Sequence, residues 1–550
     1  MSEHFDFIVV GAGSAGCVVA HRLSADPKRR VLLLEAGASD NALLVQMPAG
    51  YAYLMGNRQF DWCYDSEIEP GIDNRRMTYP RGKVLGGSSS INAMCFTRGH
   101  PHDFDRWAGN GLPEWSYAHC LPYFKKMETW SQGENAYRGG NGPLRVTSAQ
   151  FTSPLYDVFL NASEQAGYPR CPDTNGQAQE GFGGGDYTIH KGRRMSAARA
   201  YLEPVRHRKN LTIRTECEVN RLVFEGKRVI AVEFTRFGQI HSAHAECEVI
   251  LSAGALNTPK LLMLSGIGDE ERLAKHDIKV IANLPAVGKN LQDHVDFYIQ
   301  STCGQPVTYT PALRWHRKVF IGLHWLLSRK GAAATNHLEV VGFVRSDPSL
   351  SQPDLGLWFF PLIVAPDGGM TGHAHGYQLM VMQLQPLSRG EVTLRSKDPR
   401  DAPLIRNNFF SASEDVETLR KGVKCGRKIL AQPAFDAFRG VEVSPGDTVR
   451  SDDQIDTFLR ATAKSTRHPS CTCRMGIDEE TSVVDGKGRV HGLEGLRIVD
   501  ASVMPNIPSA ALNAPTIMLA EKLADCITGN TPLEPLVTQA GAVGPFPRTI

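Results

Sequence analysis

Six residues near the amino terminus, Gly11-Ala12-Gly13-Ser14-Ala15-Gly16, restrict the fold more than any other stretch of the chain. They follow Phe7-Ile8-Val9-Val10, an apolar run that reads as a strand buried on both faces. Cys17-Val18-Val19-Ala20 then opens a helix, and Val31-Leu32-Leu33-Leu34 forms a second strand ending at Glu35. A G-x-G-x-x-G between strand and helix, with an acid about twenty residues further on, predicts a dinucleotide-binding α/β unit. Gly11 permits the tight turn, Gly13 lets the backbone approach a pyrophosphate, and Gly16 lets helix and strand pack closely. The helix start, with Ser14 and Ala15, offers N–H groups and a positive dipole end to the phosphates. Glu35, followed by Ala36, is placed to accept hydrogen bonds from ribose hydroxyls. Taken alone, this unit fits FAD and NAD equally well.

The rest of the chain narrows the choice. At 550 residues it exceeds what one hydrophobic core supports, which predicts two interlocked domains. Its 60 basic and 58 acidic residues leave a net charge of +2, which gives no footing for nucleic acid or another polyanion. Apolar stretches are broken by charge or Gly well short of the roughly 20 residues that span a bilayer. Met1 to Phe5 leaves no room for a basic leader segment. A cytoplasmic protein is expected, with room for peripheral contact at the inner membrane. Among the 12 cysteines only Cys471 and Cys473 sit close together, without a second cluster to complete a zinc site, so no metal is expected.

Arg81-Gly82-Lys83-Val84-Leu85-Gly86-Gly87-Ser88-Ser89-Ser90-Ile91-Asn92 is dense in small and hydroxylated residues and leads into Ala93-Met94-Cys95-Phe96. Such a run can wrap a flat ligand rich in hydrogen-bonding groups. Together with Gly254 to Gly268, Val287 to His294, His468 to Gly476, Val499 to Ser502 and Asn513 to Ile517, it resembles the glucose–methanol–choline (GMC) oxidoreductases over nearly the whole chain. Within that family the bacterial choline and medium-chain aliphatic alcohol dehydrogenases are the most alike. The resemblance implies FAD rather than NAD. Some members carry a His in this loop that bonds covalently to the flavin; Ile91 stands at the matching position, which predicts FAD held non-covalently.

The resemblance also implies the chemistry. Oxidising an alcohol requires a proton to leave oxygen and a hydride to leave carbon. His468 is the expected general base, with the hydride passing to flavin N5. Asn513 is expected to hold the alcohol oxygen. Pro515 and Thr516 belong to the first turn of a predicted helix for which Asn513 has the residue type of an N-cap, and its dipole would favour negative charge at the flavin. Asp500 and Ala501, after the apolar Leu496-Arg497-Ile498-Val499, are expected at the cofactor or at the sheet end. His294 is expected to be structural. Oxygen or a quinone is the expected electron acceptor. Two alternatives use the same scaffold: a non-redox cyanohydrin-type lyase and a catalytically silent flavoprotein.

The substrate side is less legible. The expected plan alternates FAD-binding segments (1–140, 201–307, 460–530) with substrate-domain segments (141–200, 308–459), leaving a disordered tail from 531 to 550. The substrate domain should be an antiparallel sheet covered by helices, with Gly376 to Leu384 and Gly390 to Arg395 as neighbouring strands. Leu357 to Pro361 is a candidate aromatic pocket wall, with core packing the stronger expectation. Trp62 is a further candidate lining residue, and Glu339 a candidate partner for a substrate ammonium.

Overall fold

The computed structural model describes residues 3–365 and 375–538. Glu3–Val10 and Val31–Leu34 lie side by side and parallel, with Leu211–Arg214 beyond the second of them and Gln239–Leu251 beyond the first. Arg228–Arg236 and Cys217–Glu225 continue this sheet antiparallel, and Leu496–Ile498 joins Gln239–Leu251 as its last parallel member. Val31 to Leu34 are buried on both faces, as expected of a strand covered by helices on either side. Helix Ser14–Leu23 packs on the carboxy-terminal helix Asn513–Thr528. Arg22 seals that contact with ion pairs to Glu521 and Asp525. The two ends of the chain therefore meet where the glycine loop opens.

The second large sheet is antiparallel throughout. Its order is Arg439–Ser444, Val295–Cys303, Gly376–Gln383, Leu355–Phe360, Val340–Val344 and Gly181–Gly184, with Lys464–Ser465 also pairing to Val295–Cys303. Val295–Cys303, which precedes the expected boundary at 307, is thus a member of this sheet. Helix Ser413–Leu430 covers one face. Gly426 lets it settle there, since a Cβ at that position would stand 2.6 Å from Ile299 Cδ1. Strand alternation sends Leu357 and Phe359 into this helix-covered core, where Phe359 stacks on Phe159 at 4.6 Å.

Gly390–Thr393 does not neighbour Gly376–Gln383 as expected. It pairs with Lys289–Leu291 and Leu404–Arg406 in a separate three-stranded sheet. Pro386 cannot donate to a ladder, and Asp415 captures the next two backbone N–H groups, Leu387 at 2.8 Å and Ser388 at 2.9 Å. These contacts lead the chain out of the sheet before residue 390. Of the expected tail, residues 531–538 lie along helix Tyr117–Met127, with Leu536 N donating to Ala118 O and Leu533 N to the Tyr123 hydroxyl. Residues 539–550 lie outside the described residues.

Candidate active site

One large cavity, about 2270 Å3 of empty space counted to its open mouth, runs between the two sheets. At one end its wall is Gly11, Gly13, Ser14, Ala15, Glu35 and Ala36. Gly11 sits at φ +95°, and a Cβ there would meet Ser252 O at 2.5 Å. Gly16 lies behind the wall, where a Cβ would stand 1.9 Å from Gly11 O. At Gly13 the nearest atom to a Cβ would be Ser252 O at 3.9 Å, so bare backbone edges the cavity. The helix that starts at Ser14 has no side-chain cap and no acid in its first turn, leaving its N–H groups available for an anion.

Glu35 is tied into the loop: its Oε2 accepts from Ala12 N and its Oε1 from Gly37 N, each at 2.8 Å. Burial pushes its carboxyl up to about 7 despite those two bonds. Asp500 plays a comparable part in another loop. Its Oδ2 accepts from Gly254 N at 2.9 Å and Thr258 Oγ1 at 2.6 Å, and its Oδ1 from Ser502 N at 2.8 Å. Asp500 and Ala501 also line the cavity.

The Gly-Ser run forms the middle of the wall. Arg81, Gly87, Ser88, Ile91, Asn92, Ala93 and Met94 line the cavity, whereas Gly86 stands behind it. Gly87 has φ +54°, and a Cβ on it would sit 2.7 Å from Gly13 Cα, so the two glycine segments touch. Asn92 Oδ1 accepts from Met94 N at 3.0 Å and Arg194 Nη1 at 2.8 Å, which holds Met94 at φ +62°. Arg81 spends its guanidinium on backbone carbonyls, Pro80 O and Arg467 O, both at 2.6 Å.

Further along, the chain ends bring Asn513 against the glycine loop. Ser14 Oγ donates to Asn513 Oδ1 at 2.8 Å, which leaves the amide N–H groups of Asn513 as its free donors. Asn513 is the first residue of its helix, and Leu512 takes the cap position without a side-chain bond, so the expected N-cap role does not hold. Thr516 lines the cavity and Pro515 lies behind it. The side chain of Asn513 faces the cavity instead of closing its own helix.

His468 lines the same space and is fixed at two points. Its backbone N donates to Asp293 Oδ1 at 2.7 Å, and its ring Nδ1 lies 2.9 Å from His294 Nδ1. His294 Nε2 is 3.1 Å from Leu384 O, a carbonyl that can only accept, so that nitrogen carries the proton. Burial pulls His294 down to about 4, so its ring is neutral and its Nδ1 is bare. The bare nitrogen accepts from His468 Nδ1–H. Burial, then His294 and the cations Arg81 and Arg467, hold His468 well below the usual histidine range. A neutral His468 with its proton on Nδ1 has Nε2 as its proton acceptor. His294, expected to be structural, thus sets the tautomer, and Asp293 anchors the backbone; the adjacent Asp-His pair in the sequence was the available signal.

The antiparallel sheet supplies the opposite wall. Trp358, Phe360, Tyr298, Met380 and Met382 face the cavity, together with Leu338 and Trp62. The aromatic candidate segment therefore divides by alternation, two residues to the wall and two to the core. Glu339 does not face the cavity: it accepts from Thr152 N at 3.0 Å, Thr152 Oγ1 at 2.9 Å and Thr335 Oγ1 at 3.1 Å. Its neighbour Leu338 takes the cavity side. The carboxylate that does line this end is Asp296, two residues after His294. Its Oδ2 accepts from Thr466 Oγ1 at 2.9 Å, while its buried Oδ1 has no partner. Burial pushes its carboxyl up to about 6. Arg467 lines the same end.

Bare backbone at Gly13 and Gly254, an uncapped helix start and a carboxylate at the end of the second strand fit a dinucleotide lying along this wall. The GMC oxidoreductase family models match residues 5–296 and 386–520 of the chain. A mouse (Mus musculus) protein named mitochondrial choline dehydrogenase is 48% identical, covering 97% of this chain and 91% of its own length. An oxygen-dependent choline dehydrogenase of Staphylococcus xylosus is 46% identical, covering 97% of each. Among solved structures, pyridoxine 4-oxidase from Mesorbium loti superposes with a TM-score of 0.87 at 32% identity, over 96% of this chain and 100% of its own. An Aspergillus oryzae formate oxidase variant, from work on FAD modification, gives a TM-score of 0.90 at 29% identity, covering 96% and 98%.

Proposed function

Since the chain belongs to the GMC oxidoreductase family and is a choline dehydrogenase-like flavoenzyme, we propose that it oxidises a primary alcohol to an aldehyde with His468 as base. FAD, when bound, supplies the acceptor for the hydride that leaves the alcohol carbon. The observation that carries this reading is the hydrogen-bond chain from Leu384 O through His294 to His468. It presents a neutral imidazole Nε2 to take the alcohol proton. Asn513, with its carbonyl held by Ser14, donates an amide N–H to the alcohol oxygen and fixes its orientation. The helix behind Asn513 has no acid in its first turn, so its positive end favours negative charge developing beside it.

Choline is the first substrate to test. Asp296 puts a carboxylate in the cavity wall, where its negative charge favours a cationic head, and Tyr298, Trp358 and Phe360 line the same end with aromatic rings. Ile91 at the cavity wall has no nucleophilic atom, so FAD is held non-covalently, and acid precipitation should release all the yellow colour into the supernatant. Oxygen or a quinone takes the electrons afterwards, and the rate of reoxidation with each tells which. The deciding experiment is anaerobic mixing of the FAD-loaded protein with choline and with aliphatic, aromatic and polyol alcohols. The flavin absorbance should bleach with at least one of them. A flavin that stays oxidised with every alcohol overturns the reading in favour of a lyase or a silent flavoprotein.

A further inference from the structure

Helix Trp315–Ser328 is amphipathic in the wrong sense for a helix that belongs only to this molecule. At 3.6 residues per turn, Trp315, Val319, Phe320, Leu323, Leu326 and Leu327 share an arc of about 140°. A helix with such an arc normally turns it to the core. Here the arc faces outward: Trp315 is 79% exposed, Phe320 72% and Leu327 86%. The only fully buried side chain on the helix is Trp325, whose Nε1 donates to Gly192 O at 2.6 Å and pins the opposite face to the protein.

The surrounding charge has one sign. From Phe297 to Leu338 the chain contains no Asp or Glu, while Arg314, Arg317, Lys318, Arg329 and Lys330 lie on or beside the helix. Four of these five, all but Arg329, are exposed. Lys318 Nζ sits 5.2 Å from the ring of Tyr53, itself half-exposed and two residues from Tyr51, which lines the active-site cavity. The apolar arc and its cations therefore lie on the flank of the molecule next to that cavity.

We propose that this helix is a docking surface for an anionic lipid bilayer, lying in the headgroup plane with its apolar arc in the acyl boundary. An apolar face bordered by Lys and Arg matches an interface that is hydrocarbon below and negatively charged above. A second copy of the chain fits poorly, because a two-fold contact would bring the same unbalanced cations together. Among the described residues no helix is long and apolar enough to cross a membrane, so the contact is superficial. The docking surface is independent of the reaction. Its use rests on the proposed function: a docked enzyme would have its cavity flank beside any acceptor or alcohol dissolved in the lipid.

The test is co-sedimentation of the FAD-loaded full chain with vesicles of phosphatidylcholine alone or mixed with phosphatidylglycerol, at low and high salt. Binding to the mixed vesicles should exceed binding to the neutral ones by about tenfold and weaken with salt. The double variant Phe320→Ser/Leu327→Ser should lose about tenfold or more of that binding, with flavin content and alcohol-driven bleaching unchanged. Arg317→Glu/Lys318→Glu should lose the preference for anionic lipid. Wild-type protein that stays in the supernatant with both vesicles overturns the proposal, as does a serine variant that sediments like wild type. It is also overturned if light scattering shows a wild-type dimer that the serine variant splits while neither binds vesicles. That pattern would make the helix a self-association face.

Discussion

The two ends of the cavity are built on different principles. At the nucleotide end the ligand-facing surface is largely backbone: glycines at 11, 13 and 87, an uncapped helix start, and two carboxylates tied to loop N–H groups. Backbone can approach a phosphate only where particular residue types stand in a particular order, so this end is written in a few short, ordered motifs. At the substrate end the surface is side chains from Val295–Cys303, Leu355–Phe360 and Gly376–Gln383 and the segments beside them. No short string defines it. The nucleotide end should therefore fail as a whole when one residue is changed, whereas the substrate end should change selectivity one side chain at a time.

The largest effect should come from Gly16→Val. Its side chain would start 1.9 Å from Gly11 O, between a buried helix and a buried strand that have no room to part. The purified protein should carry essentially no FAD, read from the ratio of flavin to protein absorbance. Full flavin content would break the contrast at once. His468→Ala is next: flavin content should stay normal while anaerobic bleaching by alcohol slows by about 10²–10⁴-fold, the usual worth of a general base. Unchanged bleaching would remove His468 from the chemistry.

Legibility followed the same divide. The parallel strands and the glycine loop are legible because a motif dictates their residues, and Glu35, His468 and Asn513, singled out by motifs too, all line the cavity. His294 is buried and does not line the cavity, in keeping with a structural place, but the sequence gives no sign of which of its ring nitrogens is protonated. That depends on Leu384 O, which lies 90 positions away. Glu339 and Asp296 show the converse failure. The sequence around each leaves its direction open, and tertiary contacts turn Asp296 to the cavity while Glu339 is spent on Thr152 and Thr335. Strand Gly390–Thr393 was misplaced for a similar reason, the capture of the preceding link by Asp415. A smaller effect tests the tautomer argument. His294→Leu removes the acceptor for His468 Nδ1–H and should slow flavin bleaching by about 10²-fold with FAD retained. His294→Gln, which still offers an acceptor to His468 and a donor to Leu384 O, should recover most of that loss. Equal rates for Leu and Gln would mean that His294 acts only by packing.

The smallest effect bears most directly on the substrate end. Asp296→Asn keeps the shape of the cavity and removes a negative charge from its wall, so the KM for choline should rise about tenfold while uncharged aliphatic alcohols change little. The wild-type pH profile provides an independent check. Burial raises the Asp296 carboxyl to about 6, so it is ionised at pH 7 and becomes neutral as the pH falls through that value. Attraction for a cationic alcohol is therefore present above pH 6 and lost below it, and KM for choline should climb about tenfold between pH 7 and pH 5. His468 does not obscure this window, because its lowered proton affinity keeps the ring neutral and kcat steady. Uncharged alcohols should show a flat KM across the same range, as should choline itself in the Asn variant. If choline and an aliphatic alcohol respond alike to pH, Asp296 does not read substrate charge, and selectivity at this end rests on the aromatic wall alone.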